Sequence, residues 1–198
     1  MERYIGKSVM RGIAIGRVYL YKKVEIQVTD EKVPDAEAEK ERFMAAVDRA
    51  KAQLTRLYDD ALQNVGEDHA AIFDVHRMLL EDEDYLETAA GEIEKGYNAV
   101  YAVDQAGTQF AELFAAMDDE YMRGRAADIR DISQRVIRIL LDLPEEEINS
   151  EEPVVLVAED LTPSETVKLD KKKRPTVDIS KFSNFFSFPR HISRTGPY

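Results

Sequence analysis

The sequence predicts a mostly α-helical protein, in which a bundle of about four helices (residues 31–144) is inserted into an incomplete α/β unit (1–30 and 145–173). Three observations predict it. Apolar residues recur at three and four along nearly the whole stretch from Asp35 to Leu143, the period of an amphipathic helix. Short β-branched and aromatic runs, "GIAIGRVYLY" and "VVLVAE", flank that stretch on either side. At "DKKKRP" the composition then changes abruptly.

The elements follow in order. Behind Gly12 and Gly16, Val18 and Leu20 alternate with Tyr19 and Tyr21, which is the pattern of a short strand. After Pro34, a run opening at Asp35 repeats Phe43, Val47, Ala50, Leu54, Leu57 and Ala61, and Gly66 closes this first helix. The second helical run, "EDHAAIFDVHRMLL", meets the acidic cluster "EDED" and resumes as "YLETAAGEIEKG", so a kink or break is expected between Glu81 and Asp84. A third places Val103, Phe110, Leu113, Phe114 and Met117 on one stripe, and a fourth does the same with Ile132, Val136, Ile139, Leu140 and Leu143. Past "PEEEINSEEP" the period changes, and "VVLVAE" reads as a strand covered on both faces. "TPSE" specifies a helix start directly behind it: Thr162 is the N-cap, Pro163 suits the first turn, and Glu165 completes a capping box. Residues 174–198 show no sustained period and are expected to be a disordered tail.

Charge narrows the range of partners. The chain carries 27 Lys or Arg against 39 Asp or Glu, a net charge of −12, which disfavours nucleic acid and anionic membrane surfaces. The distribution is uneven, because seven basic residues and one Asp between Lys171 and Tyr198 give that segment +6. With no cysteine, disulfides and thiolate chemistry are excluded. The start lacks the apolar core of a signal peptide, and nothing approaches the roughly 20 apolar residues of a membrane span, so a cytoplasmic location is expected.

One region stands out as a binding surface. Glu67, Asp68, Asp82, Glu83 and Asp84 flank the apolar Ile72, Met78 and Leu79 along the broken second helix. Charge runs are most often merely solvated faces. Acids at both ends of an apolar patch also suit a basic, weakly hydrophobic partner, since charge steers the encounter and apolar contact holds it. Metal ligation is disfavoured: consecutive acids on a helix point in different directions, and the central glycine of a calcium loop is missing. His76 lies on an otherwise apolar helical face, where a lone histidine is usually packed and hydrogen-bonded.

Four stretches in order, "GIAIGRVYLY", "AIFDVHRMLLEDED", "DDEYMRGRAADIRDI" and "VVLVAEDLTPSET", resemble the N-terminal part of bacterial phosphoenolpyruvate-protein phosphotransferase, enzyme I of the sugar phosphotransferase system. The resemblance implies a four-helix domain that docks the histidine-containing phosphocarrier, inserted into a phosphohistidine domain. It puts His76 on the docking surface as a contact, and adds Tyr85, Phe114, Met122 and Arg125 to the same groove. It further implies a phosphotransferase that passes phosphate from phosphoenolpyruvate through an enzyme histidine to the carrier. In that family a "GGRTSHT"-like segment carries the reactive histidine, whereas this chain gives "PRHIS" around His191. The departure reads as a truncation or frameshift before the motif. The family's phosphoenolpyruvate and Mg²⁺ sites, and its dimer contacts, lie on a later domain that is not in this sequence. The chain alone is therefore expected to dock the carrier without catalysis, with no cofactor and no catalytic residue of its own. The alternative is a non-catalytic helical scaffold.

Overall fold

The computed structural model describes residues 16–24, 26–64, 66–144, 154–158, 161–168 and 176–179. Its elements are β1 (Arg17–Tyr21), α1 (Ala36–Asn64), α2 (Glu67–Leu80), α3 (Glu83–Glu94), α4 (Ala99–Ala115), α5 (Glu120–Leu140), β2 (Val154–Ala158), α6 (Pro163–Lys168) and β3 (Thr176–Ile179). His191 lies outside the described residues.

Helix α1, about 44 Å long at 1.5 Å per residue, is the spine of the bundle. Asp35 starts it by accepting a hydrogen bond from the Ala38 amide at 3.0 Å, and the stripe from Phe43 to Ala61 is buried along its length. Gly66, at φ +108°, ends the connection into α2 in a conformation that favours glycine. The expected break falls at Glu81 and Asp82. Helix α2 stops at Leu80, and the Asp82 carboxylate restarts the helix as an N-cap by accepting from the Tyr85 amide at 3.1 Å. The second predicted helix is therefore two helices meeting at a corner, and the bundle has α1 to α5.

In α4 the buried face differs from the expected stripe. Ala99, Ala102, Val103, Ala106, Gly107 and Ala111 turn inward, Phe110 and Phe114 are half-buried, and Leu113 is 56% exposed. Close approach to α5 is the reason. A methyl group on Gly107 would lie 2.3 Å from Ser133 Oγ, so only a face of small residues allows the two helices to pack at that spacing. The larger apolar residues are left at the rim. In α5 the expected Ile132, Val136, Ile139 and Leu140 are buried, but Leu143 lies past the helix end and is exposed.

Buried polar contacts complete the helix ends. Glu39 on α1 accepts from the Ala99 amide at 2.7 Å, satisfying a first-turn donor of α4. Arg42, paired with Glu39, donates to the Leu140 carbonyl at the end of α5. Asn98 caps α4 and reaches back to the Thr29 and Glu31 carbonyls, holding the entering chain against the α3–α4 turn.

Strands β1 and β2 pair in parallel, Arg17 opposite Val154 through Tyr21 opposite Ala158, with α1 to α5 between them in sequence. Tyr21, Leu156 and Ala158 form a small second core with Tyr19 and Leu161. The opposite face departs from the expectation of cover on both sides: Val155 and Val157 are half-buried, and their partners Val18 and Leu20 are exposed. The capping box forms as read, the Thr162 amide donating to Glu165 Oε2 at 2.6 Å and the Glu165 amide to Thr162 Oγ1 at 3.3 Å. Such a cap contributes about 1 kcal/mol. Segment 174–198, expected to have no structure, contributes β3, which extends the sheet in parallel from β2. Four residues are too few for period-2 patterning to register against a polar background.

Candidate docking surface

Negative charge gathers at both ends of α2, the second being its corner with α3. Glu67 and Asp68 occupy the first turn of α2, and Glu83 and Asp84 that of α3. These positions are favourable for carboxylates in their own right, because the N-terminal amides and the helix dipole attract anions. Helix α2, fourteen residues long and so about 21 Å along its axis, runs from the first acidic turn to the corner that precedes the second. All four acids are exposed, and among the described residues none has a Lys, Arg or His group within salt-bridge distance. Asp82 is exposed as well, and its carboxylate is engaged as the α3 cap. Between the acids, Met78 is 57% exposed, while Ile72 and Leu79 are half-buried against the bundle core.

Beside this corner an open groove of about 670 Å³ runs between α3 and α4. Its walls are Asp84, Glu87, Thr88, Gln109, Glu112 and Leu113, and Phe110 contributes its apolar ring. Three carboxylates around two apolar side chains repeat the character of the α2 face. Of the lining residues only Asp84 belongs to the expected set. Phe110 and Leu113 are legible in the sequence as apolar, but read there as part of the buried stripe.

The remaining expected residues divide. Phe114 and Met122 are half-buried. Arg125 sits among acids with its guanidinium held on two sides: Nη1 donates to Asp128 Oδ2 at 2.9 Å, and Nη2 to the Tyr121 hydroxyl, over whose ring the group lies at 4.5 Å. Burial pulls its pKa down, but the hydrogen bonds and negative charge of Asp128 and Tyr121 outweigh that, and the net shift is upward. Tyr85 is placed in the core. It is fully buried, edge-on to Phe110, and its hydroxyl shares a 2.9 Å hydrogen bond with Ser133. Burial pushes its pKa up to about 12 against the opposing effect of that bond.

His76 is also fully buried. Its Nε2 lies 3.1 Å from Asp128 Oδ1, and its Nδ1 lies 3.5 Å from Asp131 Oδ2 without forming a hydrogen bond. The imidazole is packed between two carboxylates, as a lone histidine on an apolar helical face is expected to be, and is not the surface contact that the resemblance implied. Sequence reasoning missed Asp128, Asp131 and Tyr121. The spacing of Asp128 and Asp131, three apart among Ile129 and Ile132, places two acids beside an apolar face, and was the available signal. Among the described residues no group of three or more His, Asp or Glu is arranged to hold a metal ion, and no helix is long and apolar enough to cross a membrane. The face thus brings together exposed, unpaired carboxylates and exposed apolar side chains, with Arg125 ion-paired to Asp128.

Comparison with known proteins agrees on one lineage. The model of the family described as PEP-utilising enzyme, N-terminal, matches residues 5–125. The chain is 41% identical over 170 residues to the phosphoenolpyruvate-protein phosphotransferase of Bacillus sp. (strain S), covering 84% of this chain and 29% of that protein. Against the phosphoenolpyruvate-protein phosphotransferase of Bacillus subtilis (strain 168) it is 38% identical over 184 residues, covering 90% and 32%. The chain thus spans about 30% of the length of the curated relatives it matches. In three dimensions it is similar to the solution structure of Enzyme I (nEIt), with a TM-score of 0.72 and 32% identity over 88% of this chain and 71% of that one. It is also similar to the N-terminal domain of Enzyme 1 - Nitrogen, with a TM-score of 0.64 and 28% identity over 89% and 74%.

Proposed function

The chain belongs to the PEP-utilising enzyme N-terminal family, and from that premise we propose that its described part is a docking module for a basic phosphocarrier protein of the sugar phosphotransferase system. The observation that carries this reading is the α2 face, with acids at both of its ends. Unpaired carboxylates at two helix starts bracket exposed Met78 and half-buried Leu79, and a groove of the same character opens alongside. Surfaces of this composition use long-range attraction to accelerate encounter and a small apolar contact to hold the complex. Ile72, Met78, Leu79, Phe114 and Met122 supply the apolar contact; Glu67, Asp68, Glu83 and Asp84 supply the field; and Arg125 supplies one fixed cation against which an acidic group of the partner can register. The parent activity, phosphate passing from phosphoenolpyruvate through an enzyme histidine to the carrier, draws on elements beyond the described residues, so docking is the step assigned to this part.

The test is an amide-shift NMR titration of the labelled chain with unphosphorylated histidine phosphocarrier, at low and at physiological salt. Shifts are expected on α2, the start of α3 and the groove wall of α4. They should weaken with salt, since exposed charge attraction is screened beyond about 8 Å at physiological ionic strength. Glu83→Lys combined with Asp84→Lys should weaken binding at least tenfold at low salt. Unchanged affinity would remove the assigned surface, and a folded chain with no shifts but salt-independent self-association would favour a scaffold instead.

A further inference from the structure

The groove between α3 and α4 has an apolar floor and an acidic rim. Phe110 lies edge-on to the buried Tyr85, with ring centroids 5.6 Å apart, and is itself only half-buried, while Leu113 beside it is 56% exposed. Around these two, Asp84, Glu87 and Glu112 are exposed, and among the described residues none of the three has a basic group within salt-bridge distance. Covering the floor is favourable for an occupant that also brings positive charge to the rim, because a neutral or acidic one would take water from the carboxylates without replacing it. The groove therefore suits a segment of inverse character, apolar in the middle and basic at its ends.

The chain itself carries such a segment. Strand β3 ends at Ile179, and residues 180–198 follow it. Phe182, Phe185, Phe186 and Phe188 stand together between Lys181 and Arg190, Arg194 lies just beyond, and residues 180–198 hold no Asp or Glu. Aromatic side chains in that number suit the half-buried ring of Phe110, since aromatic pairs gain more than their buried area alone supplies. Length is sufficient as well. Phe188 is the ninth residue past Ile179, which allows about 30 Å of extended chain, and helices packed about 10 Å apart make a bundle that such a length spans.

We propose that residues 181–190 dock in the α3–α4 groove of the same molecule, with phenylalanine side chains on Phe110 and Leu113 and with Lys181 and Arg190 against the rim acids, and that the segment thereby covers this face against basic partners. A tether of this length gives an effective concentration on the order of 1 mM, so a weak contact is enough. With a dissociation constant of about 0.1 mM the segment fills the groove in about nine chains of ten and weakens a competing partner about tenfold. The contact itself stands apart from the docking reading; its effect on a phosphocarrier rests on that reading.

The test is made in the full chain. It has no cysteine, so Ser193→Cys takes a single nitroxide label just past the segment. Paramagnetic broadening of amide signals is expected at Thr88 and from Gln109 to Leu113, and it should disappear when Lys181→Glu and Arg190→Glu are added. A mixture of labelled chain without ¹⁵N and unlabelled chain with ¹⁵N reports contacts between molecules, and should show none at the groove. No broadening there in a folded sample, broadening that survives the two charge reversals, or broadening equally strong in the mixture, which would make the occupant a second copy, would each overturn the proposal. Unphosphorylated phosphocarrier is then titrated into both proteins at low salt, and the charge-reversed chain should bind it about tenfold more tightly. Equal affinity would overturn the covering role. A carrier that binds neither protein, with the broadening intact, would remove the docking reading and leave the segment in its groove.

Discussion

Replacing Tyr85 by Phe separates a core residue from a docking residue, and the structure fixes how large the effect should be. The phenol is fully buried, its pKa is raised from 10.0 to about 12, and its one polar contact is Ser133 Oγ. A raised phenol pKa means that the native state holds the proton more tightly than the unfolded chain. The associated stability is complete below pH 10 and is lost as pH rises toward 12. Near pH 11, one unit above the unfolded value and one below the native value, the loss is roughly 1.4 kcal/mol, and it approaches 2–3 kcal/mol above pH 12. At neutral pH the substitution removes one hydrogen bond, at about 1 kcal/mol. Ser133 is not left unsatisfied, since its hydroxyl still donates to the Ile129 carbonyl at 2.8 Å. Wild type should therefore be the more stable protein at neutral pH, the two should converge near pH 11, and Tyr85→Phe should be the more stable beyond it. Urea unfolding followed by circular dichroism at several pH values measures this, and groups common to both proteins cancel in the difference. A stability gap that stays constant between neutral pH and pH 11 would refute the argument, because it would mean that the hydroxyl is solvated in the native state. Phosphocarrier affinity, measured alongside, should not change.

Two further predictions concern the frame around the docking face. Asp82→Ala removes the cap that starts α3 and should cost about 1 kcal/mol, with faster amide exchange from Tyr85 to Thr88, whereas Asp82→Asn should retain most of the protection; identical exchange in both would show that the corner is set by packing alone. Gly107→Ala places a methyl 2.3 Å from Ser133 Oγ and 2.7 Å from its Cβ. The helix-propensity gain of about 1 kcal/mol should be outweighed by forced separation of α4 and α5, which typically costs 1–3 kcal/mol, so chemical denaturation should show a net loss. A variant as stable as wild type would mean the crossing can relax freely.

Much of this architecture is decided by local chemistry, which a sequence carries openly. The α1 stripe, the break at Glu81 and Asp82, and the capping box at Thr162 each depend on residues within a few positions of one another, so period and cap residues suffice to place them. The same holds for the acids at the starts of α2 and α3, which sit where helix dipoles favour them and are legible as a charged surface. Other features depend on elements that meet only in the folded chain. The inward face of α4 was decided by how closely α5 approaches at Gly107, a distance that no periodicity encodes, and this moved Phe110 and Leu113 from expected core to the groove. His76, on an apolar helical face, is packed as that face predicts, but Tyr85, expected in the groove, is buried because Ser133, some fifty residues away, supplies the polar partner that makes burial tolerable. Sequence alone determined the bundle helices, the first two strands and where negative charge gathers; tertiary structure decided which side chains are exposed and which hold the frame, because burial is a property of what packs opposite and not of the residue itself.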